Sequence, residues 1–436
     1  MTVSSGTAPS ESRRVLGLRD LVVYGIVLIQ PIAPVGIFGI ACQMAGGHVV
    51  TTILIAMCAM MLTAWSYGRL AALYPSAGSA YTYVGRAFNQ RLGFVVGWAM
   101  FLDYLIIPVI NTIYGALAVG RLVPEVPYWA WALLFALILT GLNLCGISSL
   151  SRANQALLAV MTVVIVAFVV LALRYLFHSA GWSGVFSTQP FYDPRTFHPR
   201  AVMAATSLAA LTYIGFDGVT TLAEEVRNPR RTVPLATVLV CLLTGLFSAV
   251  EVYLGQRVSP NYQAFANPET AFMDVTRIVG GQWLFQSMGL VLVLACVGSG
   301  LAGIASAARL LFTMGREDML PRRLFGRLGV NVVLIGVVAL AGALAVSYEQ
   351  TAELLNFGAF LAFMGVNLAA MKTFWFRADS RRRLTSDALA PAFGFLFCFA
   401  IWWSLPLPAR IAGGVWLALG VFQVMATGRW KVASNV

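Results

Sequence analysis

The chain has 436 residues, of which 59% are hydrophobic and only 11% charged, and it carries a formal net charge of +12. A soluble domain carries about 25% charged residues, so a soluble globular fold of this length is excluded. The positive balance does not mark a nucleic-acid binder, because the basic residues form no single patch and fall in alternate loops between apolar runs, as the positive-inside rule predicts.

Residues 1–18 are polar, rich in Ser and Thr and without a cleavable signal peptide, and are expected to be a cytoplasmic tail. A bilayer span needs about 20 mostly apolar residues. Such runs are predicted at 19–43, 48–73, 92–120, 127–147, 155–176, 200–226, 233–255, 280–314, 329–348, 351–376, 387–405 and 409–428, which makes the chain an all-α integral membrane protein of about twelve helices. The even number puts both termini in the cytoplasm. All Lys and Arg then lie on that side except Arg121, Arg174, Arg195, Arg200, Arg257, Arg277 and Arg410. The expected division is a ten-helix core over 19–376, in halves 19–176 and 200–376, then a basic cytoplasmic loop at 377–386, two further helices in 387–428 and a cytoplasmic tail at 429–436. The longest outside segments are 177–199 and 256–279.

Two spans carry breaks. The first contains Gln30-Pro31-Ile32-Ala33-Pro34-Val35-Gly36, followed by Gly39. Two prolines lack amide donors, so a continuous helix there is costly. The sixth contains Tyr213-Ile-Gly215-Phe216-Asp217-Gly218, two glycines and a carboxylate in mid-span. Backbone released inside a membrane must line a cavity or be buried in protein, and interrupted helices at matching positions of two halves point to a transporter site. Spans one and six are five apart, as two inverted repeats of five helices require.

Between them, Asp103 lies mid-span in the third run. A carboxylate at the bilayer centre costs about 2.5–3.5 kcal/mol on insertion scales, so it needs a structural partner, a watery cavity or a cationic substrate. Ile107 and Asn111 share its helical face, and Asn111 serves either as a substrate ligand or as glue between helices. Protonation of Asp103 would compete with a bound amine. Asp217 either caps freed amides or faces substrate. Tyr213 and Phe216 flank it, either as packing or as rings over an ammonium. The stretch Ala33-Pro34-Val35-Gly36 begins a half-helix whose amides suit a substrate carboxylate. Glu251, in the outer part of span seven, is a proton relay, a vestibule charge or an interfacial residue. Phe357 and Phe360 of span ten either close the pocket or pack. Glu224 and Glu225, with Arg227, Arg230 and Arg231, are expected to form a salt-bridge network at the cytoplasmic end of span six, structural or gating. His48, His178 and His198 are expected as solvated loop residues. Cys42, Cys58, Cys145, Cys241, Cys296 and Cys398 are isolated in apolar runs, which suits packing rather than a metal site or disulfides. No P-loop, zinc motif, nucleophile elbow or dinucleotide fingerprint stands in a suitable context, so no cofactor and no enzymatic activity are expected.

The stretch LTYIGFDGVTTLAEEVRNPRRTVPLA at 211–236 strongly resembles the sixth helix and following loop of the amino acid–polyamine–organocation transporter family. YPSAGSAYTY (74–83), GWAMFLDY (97–104), AARLLFTMGREDMLP (307–321) and LLNFGAFLAFMGVN (354–367) resemble its other segments in order, and the whole chain resembles bacterial putrescine importers in particular. The resemblance implies the LeuT-like fold, a substrate held between broken helices one and six, and alternating access driven by a proton gradient or by exchange with a counter-substrate. Two features depart from the family pattern. The loop from Met319 to Val330 is shorter than usual and lacks the family's usual Pro-containing entry to the ninth helix, and the run Ala156–Ala167 has no lysine where some members carry one, with Met161 near that place. The resulting expectation is a proton-coupled carrier of a putrescine-like amine in the inner membrane. The alternative is an amino acid permease or exchanger of the same family.

Overall fold

The first apolar run is two helices rather than one. In the computed structural model, which describes residues 15–74, 79–146, 151–316, 321–377 and 382–427, α1 (Leu18–Ile29) and α2 (Ala33–Met44) are bent by 53° across a three-residue gap. Gln30 sits at φ 66°, left-handed backbone that few side chains adopt, and Pro34 occupies the first turn of α2, where its missing amide costs nothing. Residues 1–14, 75–78, 147–150, 317–320, 378–381 and 428–436 lie outside the described residues, and with them most of the expected tail at 1–18, part of the expected basic loop at 377–386 and all of the expected tail at 429–436.

The remaining helices follow in order: α3 (Val49–Leu73), α4 (Ser79–Ala87), α5 (Gln90–Leu122), α6 (Tyr128–Leu144), α7 (Ser151–Val185) and α8 (Pro199–Ala209). Two 3₁₀ stretches, Ala210–Tyr213 and Phe216–Glu225, complete the sixth span. They are separated by Gly215 at φ 113°, which only glycine adopts without strain. Then come α9 (Pro229–Val258), α10 (Ala271–Arg316), α11 (Arg322–Phe325), α12 (Leu328–Ala345), α13 (Tyr348–Met371), α14 (Ala390–Trp403) and α15 (Leu407–Thr427). Among the described residues the extended structure is one isolated parallel bridge, Leu16 with Val226, which ties the start of the chain to the end of the sixth span.

Among the described residues nine helices are long and apolar enough to cross a membrane, or ten if the bent α1–α2 pair is one span, and Tyr128–Leu144 and Leu407–Gln423 are shorter apolar helices. The chain is thus an all-helical multi-pass membrane protein. The segments expected at 177–199 and 256–279 are shorter between helices than the sequence suggests. Helix α7 runs on to Val185 across a kink at Ala180 and Gly181. Helix α10 begins at Ala271 rather than near 280, with a kink at Gly281. In each case a glycine at positive φ redirects the helix instead of ending it.

Position in the bundle follows from burial. The best apolar windows of α5 and α13 are 67% and 72% buried, whereas those of α7 and α14 are each 28% buried, so the first pair is interior and the second peripheral. Helix α5 touches α4, α6, α10, α12, α13 and α15. The outer helices show Val163, Val170, Phe422 and Met425 outward, a face that suits lipid.

Candidate functional site

The two helix breaks and α5 enclose a cavity of about 470 Å³, within the usual range for small-ligand sites. Gln30, Ile32, Ala33 and Gly36 line it from the first break, and Ile214, Gly215, Asp217 and Gly218 from the second. Helix α5 supplies Asp103, Tyr104, Ile107, Ile110, Asn111 and Tyr114, one face of a 3.6-residue helix. Leu157, Leu158 and Met161 of α7, Cys296 and Ser299 of α10, and Tyr348 and Leu355 of α13 complete the wall.

Asp103 is 7% exposed, and its Oδ1 is buried without a hydrogen-bond partner. An uncompensated buried carboxylate is costly, so it must take up a proton, a cation or a donor. The second carboxylate, Asp217, lies amid the backbone amides of Gly215, Asp217 and Gly218, freed where the helix unwinds. The described lining holds two carboxylates and no cationic side chain. Pro108, inside α5, has no amide to donate to the carbonyl four residues earlier, so the backbone oxygen of Tyr104 beside Asp103 loses its helical donor. Asn111 Nδ2 donates to the Ile107 carbonyl (2.8 Å) and to Ser299 Oγ (3.0 Å). This residue therefore ties α5 to α10 as well as lining the cavity.

The two ends of the cavity differ. Along α1 the lining runs through Leu28, 40% exposed, to Tyr24, and along the second break to the exposed Thr221. At the other end Tyr114 and Tyr348 pack ring to ring at 5.1 Å over Gly36. A Cβ at residue 36 would stand 2.8 Å from the Tyr348 hydroxyl. The tyrosine pair closes this end and the α1 end is open.

The structure thus brings Ala33, Gly36, Asp103, Ile107, Asn111, Gly215 and Asp217 together at the cavity wall. It places the other sequence candidates elsewhere. Pro34 and Val35 are buried in the first turn of α2, off the lining. Tyr213 turns away, and its hydroxyl donates to the Ile53 carbonyl (2.9 Å). Phe216 packs edge-on against Tyr67 (5.5 Å). Phe357 lies against Trp402 (5.2 Å) and Phe360 against Phe363 (6.1 Å), both as core packing rather than as cavity walls. Glu251 is 1% exposed, off the lining, and both its carboxylate oxygens lack a hydrogen-bond partner.

Two further expectations are corrected. Among the described residues no ion pair joins Glu224 or Glu225 to Arg227, Arg230 or Arg231. Glu225 instead accepts the Leu16 amide through its backbone carbonyl, leaving these exposed side chains in solvent. His48 is not a solvated loop residue. It is fully buried, with Nε2 3.1 Å from Thr196 Oγ1 and its ring edge-on to Phe197 at 5.1 Å.

Sequence reasoning missed Tyr104, Tyr114, Tyr348 and Gln30. Tyr114 was findable, since it continues the stripe Asp103, Ile107, Asn111 at helical spacing. Tyr348 begins a helix distant in the chain and has no local signal.

The sequence is similar to that of known proteins over most of its length. The amino acid permease family profile matches residues 22–348. The low-affinity putrescine importer PlaP of Escherichia coli (strain K12) is 31% identical over 97% of this chain and 95% of its own length. The vacuolar cationic amino acid transporter 4 of Arabidopsis thaliana is 29% identical over 83% of this chain and 64% of its own. The branched-chain amino acid permease BcaP of Lactococcus lactis is 24% identical over 97% and 96%.

Proposed function

The chain belongs to the amino acid permease family, and from that premise we propose that it is a secondary transporter that carries a small organic amine, putrescine-like in chemistry, by alternating access. The observation that carries this reading is the orphaned Oδ1 of Asp103 in a cavity with a second carboxylate and no cation. An ammonium group at Asp103 supplies the missing charge-assisted hydrogen bond. Asp217 suits the second ammonium of a diamine, and the ring of Tyr104, which lines the cavity next to Asp103 in the chain, adds cation–π attraction. The Escherichia coli relative, a putrescine importer, agrees with this chemistry.

The fold that goes with this reading is LeuT-like: two inverted five-helix repeats over 19–376, broken at helices one and six, with α14 and α15 as helices eleven and twelve. Both termini lie in the cytoplasm of a cell whose inner membrane holds the protein. In that orientation the open end of the cavity faces inward and the Tyr114–Tyr348 lid faces outward.

Coupling is assigned to protons, with Glu251 as the carrier. A carboxylate 1% exposed with both oxygens unpaired is tolerable only while neutral, so it holds a proton in this conformation. Release of that proton requires a second conformation in which the group meets water or a base, which is what alternating access provides. From α7 the described lining takes Leu157, Leu158 and Met161, none of them cationic.

An amino acid permease is the second reading. It is favoured by the N-terminus of α2, which enters the same cavity through Ile32, Ala33 and Gly36 and suits a carboxylate. Uptake into proteoliposomes separates the two, using labelled putrescine, spermidine and a panel of amino acids with and without an inward-directed proton gradient. Gradient-stimulated uptake of putrescine, blocked by unlabelled diamine and not by neutral amino acids, is expected. If no amine enters or competes, the amine reading fails.

A further inference from the structure

Asn111 lines the cavity in a way that fixes which of its atoms a ligand can meet. Helix α10 carries Gly298-Ser299-Gly300 and then Gly303, and the last two glycines let it press against α5. A Cβ at residue 303 would stand 2.6 Å from Ile107 Cγ2, and one at residue 300 would stand 3.4 Å from Asn111 Cβ. This close approach brings Ser299 Oγ to 3.0 Å from Asn111 Nδ2, while the same nitrogen donates to the Ile107 carbonyl at 2.8 Å. A carbonyl oxygen can only accept, so the amide atom facing it is the nitrogen, and the amide cannot be turned over. That nitrogen carries two hydrogens, and both are taken. The Oδ1 atom is the polar atom left for the cavity, and among the described residues it accepts no hydrogen bond. Asn111 therefore offers a ligand an acceptor and no donor.

Its place along α5 gives that acceptor a reach. Asn111 stands two turns beyond Asp103, or about 12 Å along the helix axis at 1.5 Å per residue, and both residues line the one cavity. A charge-assisted N–H···O contact is about 2.8 Å long. An amine touching both side chains therefore has its end nitrogens roughly 6–12 Å apart, the lower limit with both contacts in line and the upper with both from the side. An extended chain advances about 1.2 Å per bond. The four bonds between the nitrogens of propane-1,3-diamine cover about 5 Å and fall short, and the five of putrescine cover about 6 Å and barely reach. The nine bonds between the end nitrogens of a linear triamine such as spermidine cover about 11 Å and reach with slack.

We propose that Asn111 Oδ1, held in place by Ser299, is a specificity-determining acceptor for the distal nitrogen of a long amine, so that the cavity prefers a linear triamine to a short diamine. Asp103 and Asp217 hold the charges of short and long amines alike, and Asn111 reads the length. Ser299 is a positioning residue for this task. Without its hydroxyl one amide hydrogen is released and the amide is free to present a donor, which an ammonium group avoids. This length preference rests on the amine reading of the cavity.

Direct binding of labelled putrescine to the purified full-length protein, and its displacement by propane-1,3-diamine, octane-1,8-diamine and spermidine, gives affinity against nitrogen spacing. Octane-1,8-diamine has the spacing of spermidine without the middle nitrogen, so it separates length from charge. The wild type is expected to bind the two nine-bond amines about tenfold more tightly than propane-1,3-diamine, the gain from one further hydrogen bond to a charged group. In N111L the loss should grow with spacing, about tenfold for spermidine and several times smaller for propane-1,3-diamine. S299A should show part of the same graded loss. N111D puts a charged acceptor in place of a neutral one and should steepen the rise with spacing, a gain that misfolding does not produce.

If N111L weakens all the amines by one factor or weakens none, if N111D flattens the rise, or if wild-type affinity falls with spacing, the length reading is overturned and the amine reading stands. Wild-type protein that binds no amine at all overturns the amine reading itself, and the length preference with it.

Discussion

Asp103 on α5 and Asp217 at the break of the sixth span face a single cavity, and among the described residues no cationic side chain lines it. The two differ in what already satisfies them. Asp217 lies amid freed backbone amides, whereas Asp103 has a buried oxygen with no partner. The substrate's contribution is therefore greatest at Asp103. Replacing it with Asn removes the charge while keeping the shape, and loss of one partner of a buried charged contact costs about 3 kcal/mol, or roughly 100-fold in kcat/KM for putrescine. Asp217→Asn should cost less, because the amides remain. Initial uptake rates over a range of putrescine concentrations check both. Equal losses at the two positions would contradict the ranking.

Glu251 has a different signature, since it lies off the cavity lining with both carboxylate oxygens unpartnered, and the proposed mechanism gives it the proton rather than the substrate. Glu251→Gln imitates the protonated state permanently. The expected result is that a pH gradient no longer stimulates uptake, while exchange of internal for external putrescine continues at near the wild-type rate. Counterflow assays with and without a gradient separate these two activities. Loss of both together would place Glu251 in the structure rather than in coupling.

The helix breaks were legible because their causes are local. Pro31 and Pro34 remove amides and Gly215 permits positive φ wherever they stand, so the chain alone shows where two spans must unwind. The Asp103 face was legible for the same kind of reason: residues at 107 and 111 fall on one side of any α-helix. What stayed hidden depends on tertiary packing. Phe357 and Phe360 look no different in sequence from aromatic pocket walls, and only their contacts with Trp402 and Phe363 make them core residues. His48 lies between two spans, where a loop histidine is ordinarily wet, yet the segment after α7 folds back over it through Thr196 and Phe197. The ends of α7 and α10 were misjudged because polar and glycine-containing stretches there remain helical once neighbouring helices support them.

One salt bridge joins the core to the last two helices. Arg69, near the end of α3, contacts Asp387 at 2.6 Å, donates to the Ser386 carbonyl at 2.9 Å, and lies 3.8 Å from the centre of the Phe374 ring. Asp387 also accepts the Arg383 amide at 2.7 Å. The pair is mostly shielded, with side chains 21% and 9% exposed, so its loss should exceed that of a surface pair. Asp387→Ala is expected to destabilise by about 1–3 kcal/mol. The double change with Arg69→Ala should cost less than the sum of the singles, because the two share one interaction. Melting of purified single and double variants tests this, and strict additivity would argue against a coupled pair.

His48 gives a pH dependence outside the spans. Burial holds its imidazole below the ordinary histidine value, opposed by the nearby Asp193 and reinforced by His198. The Gln189 backbone also favours the protonated ring, but burial outweighs it. A histidine depressed in the folded state binds protons more readily when unfolded, so stability rises with pH through this group. Its contribution is complete above the unfolded value of about 6.5 and is lost as pH falls below it. The melting temperature of the wild type should drop between pH 7.5 and 5.5, and His48→Gln, which cannot titrate, should flatten that slope. An unchanged slope in the variant would assign the effect to another group.

The closed end of the cavity makes the most discriminating prediction, because general helix chemistry and local packing call for opposite signs. In a helix interior, Gly→Ala is ordinarily stabilising by about 1 kcal/mol, so Gly36→Ala in α2 should be harmless if space allowed. It does not: the added Cβ would stand 2.8 Å from the Tyr348 hydroxyl and 3.1 Å from Tyr114 Cζ, inside normal contact distance. The methyl group must push the two rings aside, and the lid then fails to seat over the substrate. Gly36→Ala should therefore lower putrescine uptake by about tenfold, as misplacement of a closing element does. Tyr348→Phe removes the oxygen that clashes and should restore part of that loss in the double variant while having a small effect alone. Uptake by all four proteins at one substrate concentration decides it. A Gly36→Ala carrier that works normally, or a double variant no better than the single, would mean that the tyrosine pair is not the lid.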